Sequence, residues 1–304
     1  MAVARLANKN GKTPETERVR ASLNLTYFTR TSIMSAQDSE RWREQLKGLT
    51  FDVFGTCVDW RSTVEEALTK EAATKIGSEA FGTLPPAIQV RVKSLTGQDW
   101  ADFAQQWKTS YLRFTRSFVP GVTAWKDIDT HYYDSLVKLL DEWQLSGLYG
   151  PDEITQLSRI WHFLDPWPEA SKGIHMLGTK FATASLSNGN QALQRDLKDH
   201  GDLGFHILIS AEDFRAYKPD KAVYLGACKK LGLEPQQVAL VAAHLNDLKA
   251  ARAYGLRTIY VERPGEEEWA PGEEEYEQAK QWVDIWVAEG EGGFVEVARQ
   301  LGIA

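Results

Sequence analysis

A few polar positions in this chain invite a chemical reading. Asp52 closes the apolar run in "GLTFDVFGTCVDW". Ser187 and Asn188 follow the apolar run in "FATASLSNGN", Lys218 lies in "AYKPDKAVY", and Asp247 lies in "VALVAAHLNDLKAARAYG". A carboxylate attacks carbon or phosphorus and forms a covalent intermediate. To stay ionised in a partly dry site it needs a cation beside it, and Lys218 supplies one. At ~4 Å and an effective dielectric of ~20, such a pair gains about 4 kcal/mol. Ser187 and the N–H groups of Asn188 and Gly189 would bind an anionic group of a substrate at a helix N-terminus. Asp247 would hold Lys218 or orient a water that cleaves the intermediate. Taken singly, each residue also reads as a turn former.

These residues are far apart, so the fold must bring them to one edge. The run "LTFDVF" predicts a buried strand, and "DWRSTVEEALTKEAATKI" a helix with Val64, Leu68, Ala72 and Ile76 on one face. From about Leu84 to Trp167 the pattern is helical, with Pro and Gly between segments. That block is dense in Trp100, Trp107, Tyr111, Trp125, Tyr132, Tyr133 and Trp143. These rings read as packing between helices, or together as the wall of a small apolar cavity. From Gly173 strands alternate with helices: "FATASL", "FHILIS", "VALVAAH", "RTIYVE" and "DIWVAE" are the strands. This implies a parallel sheet with right-handed crossovers. The acidic stretch "RPGEEEWAPGEEEYEQ" reads as a solvated loop. The expected organisation is a disordered extension over 1–34, an α/β core formed by 35–63 and 172–304, and a helical cap over 64–171. Such a cap covers the carboxyl ends of the strands, where open parallel sheets bind ligands.

The chain has 304 residues, 43% hydrophobic, with a net charge of −7. The charge argues against a nucleic-acid partner but leaves room for a small anionic substrate in a locally positive pocket. No apolar run approaches the ~20 residues that span a bilayer, so no membrane partner is expected. Cys57 and Cys228 form neither a disulfide framework nor a zinc pattern; they read as buried, reduced thiols, which fits a cytoplasmic location. Residues 1–33 are biased to Arg, Lys, Ser and Thr, as in a mitochondrial transit peptide, although Glu15 and Glu17 run against that reading.

The four groups carry a resemblance. "DVFGT" at 52–56, "SNG" at 187–189, "YKPD" at 217–220 and "VALVAAHLNDLKAARAYGLRTIYVERP" are similar, in order, to the four motifs of the haloacid dehalogenase superfamily, from about Leu49 to the C-terminus. The resemblance implies a Rossmann-like parallel core with an inserted helical cap. Most members are magnesium-dependent phosphatases with a second Asp two residues after the nucleophile and another four before the last Asp. Phe54 and Ala243 stand at those positions. A hard dication needs oxygen ligands, so these residues point away from phosphoryl transfer. The chain looks more like the (S)-2-haloacid dehalogenase branch, which has an aromatic at the Phe54 position and requires no metal or other cofactor.

The resemblance implies hydrolytic dehalogenation of small 2-haloalkanoic acids through an aspartyl ester, giving a 2-hydroxy acid and halide. Asp52 would be the nucleophile, supported by Thr56 and Lys218. Ser187 and Asn188 would bind the carboxylate or line the halide site, and Tyr224 would hydrogen-bond within the site. Asp247 would serve ester hydrolysis. The family's halide-binding Arg after a Trp corresponds to Lys108 after Trp107; Lys keeps the charge without the planar fork. Ala242, His244 and Asn246 replace the family's Ser, Asn and aromatic residue, and His244 stands as a water ligand or base. A homodimer is also implied. Two other readings remain open: a phosphate or phosphonate ester hydrolase using Asp52, and a catalytically silent binding protein.

Overall fold

The apolar, β-branched runs form strands because they can be buried on both faces, which a parallel sheet covered by helices requires. The computed structural model describes residues 41–304. The predicted extension over 1–34 lies outside the described residues, residues 41–45 are helical, and residues 46–304 form one compact unit.

Six strands build one parallel sheet: β1 (Gly48–Phe51), β2 (Ala182–Ser187), β3 (Ile207–Ser210), β4 (Val238–Ala242), β5 (Arg257–Val261) and β6 (Ile285–Val287). Their order is β3-β2-β1-β4-β5-β6. Thus β1 lies between β2 and β4, with Phe51 in register with Ser185 on one side and Val241 on the other. The first residues beyond β1, β2 and β4 therefore share one edge of the sheet. The side chains of Leu49, Phe51, Leu186, Val241 and Ile259 are buried. This is the Rossmann-like α/β core that the sequence predicts.

Between β1 and β2 the chain is helical: α1 (Trp60–Ile76), α2 (Pro86–Ser94), α3 (Gly97–Ser117), α4 (Ile128–Glu142), α5 (Pro151–Ser158) and α6 (Ala170–Gly178), with short 3-10 turns. α3 starts where Thr96 caps the helix: its hydroxyl accepts from the Asp99 N–H, and the Asp99 carboxylate accepts from the Thr96 N–H. That reciprocal pair satisfies donors the first helical turn leaves open. The remaining helices alternate with strands: α7 (Gln191–His200), α8 (Lys221–Leu231), α9 (Leu245–Ala253), α10 (Glu274–Trp282) and α11 (Gly293–Gln300). Helices α6 and α11 approach closely at Gly173, where a Cβ would meet the Cβ of Phe294 at 2.4 Å. No described helix is long and apolar enough to cross a membrane. Cys57 and Cys228 are buried and unbridged.

Candidate active site

Asp52 takes its place from the turn that follows β1. Its N–H still donates to Val241 O at 3.0 Å, so the backbone is anchored as in the sheet. The chain then reverses: Gly55 N–H donates to Val58 O and Cys57 N–H to Val53 O. Gly55 has φ +80°, and a Cβ there would fall 1.9 Å from Glu266 Oε2. A side chain at Gly55 is excluded both by the backbone conformation and by the carboxylate lying over it.

Three cationic or hydroxyl donors converge on Asp52. Lys218 Nζ donates to Oδ1 at 2.7 Å. Thr56 Oγ1 donates to Oδ2 at 2.7 Å and accepts from the Ala243 N–H, tying the β1 turn to the end of β4. His244 Nδ1 lies 3.1 Å from Oδ2. Burial pushes the Asp52 carboxyl upward, but Lys218 and His244 outweigh it and hold it well below the usual carboxylate range. Asp52 is therefore an anion at neutral pH although it is buried.

Lys218 is held at both ends. Its backbone N–H donates to Asn188 Oδ1 at 2.8 Å, linking it to the turn after β2. Its ammonium also donates to Asp247 Oδ2 at 2.6 Å. Burial opposes the charge on Lys218, yet Asp247 and Asp52 raise its pKa above the ordinary value. Asp247 sits in the first turn of α9, and its Oδ1 accepts from Tyr224 Oη on α8 at 2.6 Å. The structure thus joins Asp52, Thr56, Asn188, Lys218, Tyr224, His244 and Asp247 into one network.

His244 adds a branch toward a residue the sequence reading missed. Its Nε2 lies 3.3 Å from Glu266 Oε2, and Glu266 Oε1 accepts from Trp60 Nε1 at 2.7 Å. With a carboxylate at each ring nitrogen, the imidazole is a double donor. Burial lowers its pKa, but Asp52 and Glu266 prevail and raise it to about 10.

Apart from Thr56, which is fully buried, this network lines a cavity of about 490 Å³. Across it stands α3, which presents Gln105, Lys108, Tyr111, Leu112, Thr115 and Arg116. Lys108 is only 5% exposed. Its Nζ lies 5.2 Å from the ring centroids of Phe54, Trp60 and Tyr111. Among the described residues it has no hydrogen-bond or ion-pair partner. Burial lowers its pKa, against the attraction of Glu266 and Asp52. A desolvated ammonium framed by aromatic rings and facing a cavity has N–H donors that can receive an anion.

The model of haloacid dehalogenase-like hydrolases matches residues 46–255. The chain belongs to this family. It is 31% identical over 226 residues to an (S)-2-haloacid dehalogenase of Pseudomonas sp. strain YL, covering 73% of this chain and 85% of that protein. It is 26% identical over 242 residues to (S)-2-haloacid dehalogenase 4A of Burkholderia cepacia, covering 75% and 89% respectively. Among solved structures, an L-2-haloacid dehalogenase superposes with a TM-score of 0.66 at 32% identity, covering 84% of this chain and all (100%) of that one. A defluorinating L-2-haloacid dehalogenase gives 0.68 at 28%, covering 84% and 95%.

Not every site residue expected of a haloacid dehalogenase-like hydrolase faces the cavity. Ser187 is 1% exposed and does not line it; its Oγ accepts from the Gly189 N–H at 3.1 Å. Of the N–H groups expected to receive a substrate anion, that of Gly189 is therefore engaged, and the Gln191 N–H at the start of α7 donates to Glu212 Oε2. Trp107 points away: its Nε1 donates to Tyr132 O and Ser135 Oγ, and its ring packs edge-on against Trp161. The dense aromatics of the helical segment mostly pack on one another, as Tyr132 does on Trp161 with centroids 4.3 Å apart. Of the aromatics singled out there, Tyr111 alone reaches the cavity; Phe54 and Trp60 complete its aromatic wall.

The acidic stretch is likewise only partly a solvated loop. Glu266 is buried, it lines the cavity together with Glu267 and Glu268, and α10 begins at Glu274. Among the described residues no group of three or more His, Cys, Asp or Glu side chains is arranged to hold a metal ion. The two carboxylates flanking the centre, Asp52 and Asp247, already share the Lys218 ammonium. Phe54 and Ala243 offer no side-chain oxygen.

Proposed function

We propose that this protein hydrolyses 2-haloalkanoic acids to 2-hydroxy acids and halide. The observation that carries the reading is the pairing of a buried, ionised Asp52 with a second buried cation, Lys108, that has no hydrogen-bond or ion-pair partner among the described residues and faces the same cavity. The similarity to 2-haloacid dehalogenases supports it. Asp52 attacks C2 in line with the carbon–halogen bond, forming an ester and inverting C2. The halide departs toward Lys108, whose three N–H donors need an acceptor. It needs no proton, which suits Phe54 in place of a general acid. Asn188, at the cavity wall beside Tyr111, binds the substrate carboxylate. Holding nucleophile and carbon in line contributes about 7–11 kcal/mol toward the barrier. Water then cleaves the ester, giving a proton to Asp247, whose oxygens keep lone pairs beside Lys218 and Tyr224.

The test is a panel of 2-haloacids, including fluoroacetate, incubated with chelator present and assayed for free halide. Release by the wild type and none by Asp52→Asn is expected. Silence across the panel, or equal release by the variant, would remove the assignment.

A further inference from the structure

The hydrogen bonds to Asp52 are unequal. Among the described residues Oδ1 accepts one, from Lys218, and Oδ2 accepts two, from Thr56 and His244. Each donor withdraws charge and occupies a lone pair. Oδ1, with fewer, is the better nucleophile. Attack through Oδ1 leaves Oδ2 as the carbonyl oxygen of the ester, with both its donors already in place.

We infer that His244 and Thr56 form the oxyanion hole for ester hydrolysis, His244 acting as a charged donor to Oδ2 rather than as the base. This rests on the dehalogenation reading. In the step, water gives one proton to Asp247 as its oxygen bonds to Cγ, and the Cγ=Oδ2 pair moves onto Oδ2. The pair then returns and the Cγ–Oδ1 bond breaks. Oδ1 leaves as the hydroxyl oxygen of the product, taking the proton from Asp247. The new carboxyl, made of Oδ2 and the water oxygen, releases its remaining proton to solvent. Donors fixed in advance where charge develops need no reorganisation during the reaction.

Glu266 fits this role. Esterification removes the charge of Asp52, and Glu266 remains to hold the imidazolium. The cavity that His244 lines also holds Glu267 and Glu268 of the same loop, Asp247 of α9, Lys108 and Arg116 of α3, Arg61 of α1 and Lys218 from the loop before α8. Because Nε2 faces the Glu266 carboxylate, the proton lost at high pH is the one on Nδ1. Deprotonation therefore removes the donor to Oδ2. The hydrolysis rate must then fall with rising pH, whereas for a base it would rise.

The experiment is single-turnover quench with (S)-2-chloropropionate, reading the ester by intact-protein mass across pH. For the wild type, the ester hydrolysis constant should fall at alkaline pH. E266Q should bring that fall to lower pH by at least one unit. H244Q should form the ester and cleave it about 10²–10³-fold more slowly; the adduct itself shows that the variant is folded. A rate that climbs with pH through the same transition, wild-type cleavage by H244Q, or a folded H244Q that forms no ester would each overturn the inference. If the wild type yields neither halide nor adduct, the dehalogenation reading fails first and this inference falls with it.

Discussion

Glu267 Oε2 accepts a 2.6 Å hydrogen bond from the backbone N–H of Leu245, the first residue of α9. The open N–H groups of a helix N-terminus are usually met by a residue of the same segment. Here the acceptor comes from the loop after β5, whose preceding residue, Glu266, holds His244. One short acidic segment thus fixes both His244 and the helix that carries Asp247.

Glu267→Gln keeps an acceptor and should leave stability nearly unchanged. Glu267→Ala removes it and should destabilise by about 1 kcal/mol, the usual value for losing a helix cap. Urea unfolding of the two variants measures the difference. Equal loss in both would show that charge, not the hydrogen bond, matters at Leu245.

Replacing Lys218 by Ala leaves Asp52 and Asp247 buried with their shared cation gone. Removing one partner of a buried pair typically destabilises by about 3–5 kcal/mol. Halide release should disappear, and the midpoint of denaturant unfolding should drop accordingly. An unchanged midpoint would mean that water replaces the ammonium.

Lys108→Met keeps the length and apolar stem but removes the charge facing the cavity. Halide release at saturating substrate should fall by at least tenfold, with little change in stability, because a desolvated cation is itself costly to bury. Lys108→Arg should recover part of the activity, limited by the larger fork. Full activity in the Met variant would place the leaving-group site elsewhere.

The pH dependence of stability follows from His244. Its folded pKa is raised to about 10 by Asp52 and Glu266 against the effect of burial, from an ordinary 6.5. The folded state thus binds the proton more tightly than the unfolded state does. Its contribution is complete below pH 6.5 and is lost as pH rises toward 10. The wild-type melting temperature should fall across that window more than that of His244→Gln. Parallel curves would show that the ring does not carry this proton.

Much of this was legible in the sequence because strand ends are. Asp52, Asn188, His244 and Asp247 lie just beyond apolar runs, and a parallel sheet gathers such positions without further information. Lys218 was legible as the cation that a buried carboxylate needs. Side-chain direction was not. Ser187 ends the same kind of run but turns back to its own backbone, and Trp107 shares α3 with Lys108 yet faces away from the cavity. Helical spacing alone could have separated those two, since adjacent residues on a helix point about 100° apart. Glu266 was hidden by its company: three consecutive glutamates look like solvent-facing charge. Its place in the loop that follows β5, on the same edge as the other groups, was the signal that could have found it.

The strand order also governs when this centre can come into being. A ribosome extends the chain from the N-terminus, so Gly48–Phe51 emerges long before Ala182–Ser187 and Val238–Ala242, the two segments that flank it. Until both are synthesised, the nucleophile's strand has bare edges and no lysine opposite its acid. Biogenesis must therefore tolerate a prolonged stage in which this central segment waits unpaired, and shortened chains ending before Val238 should be captured by chaperones rather than accumulate as native-like protein.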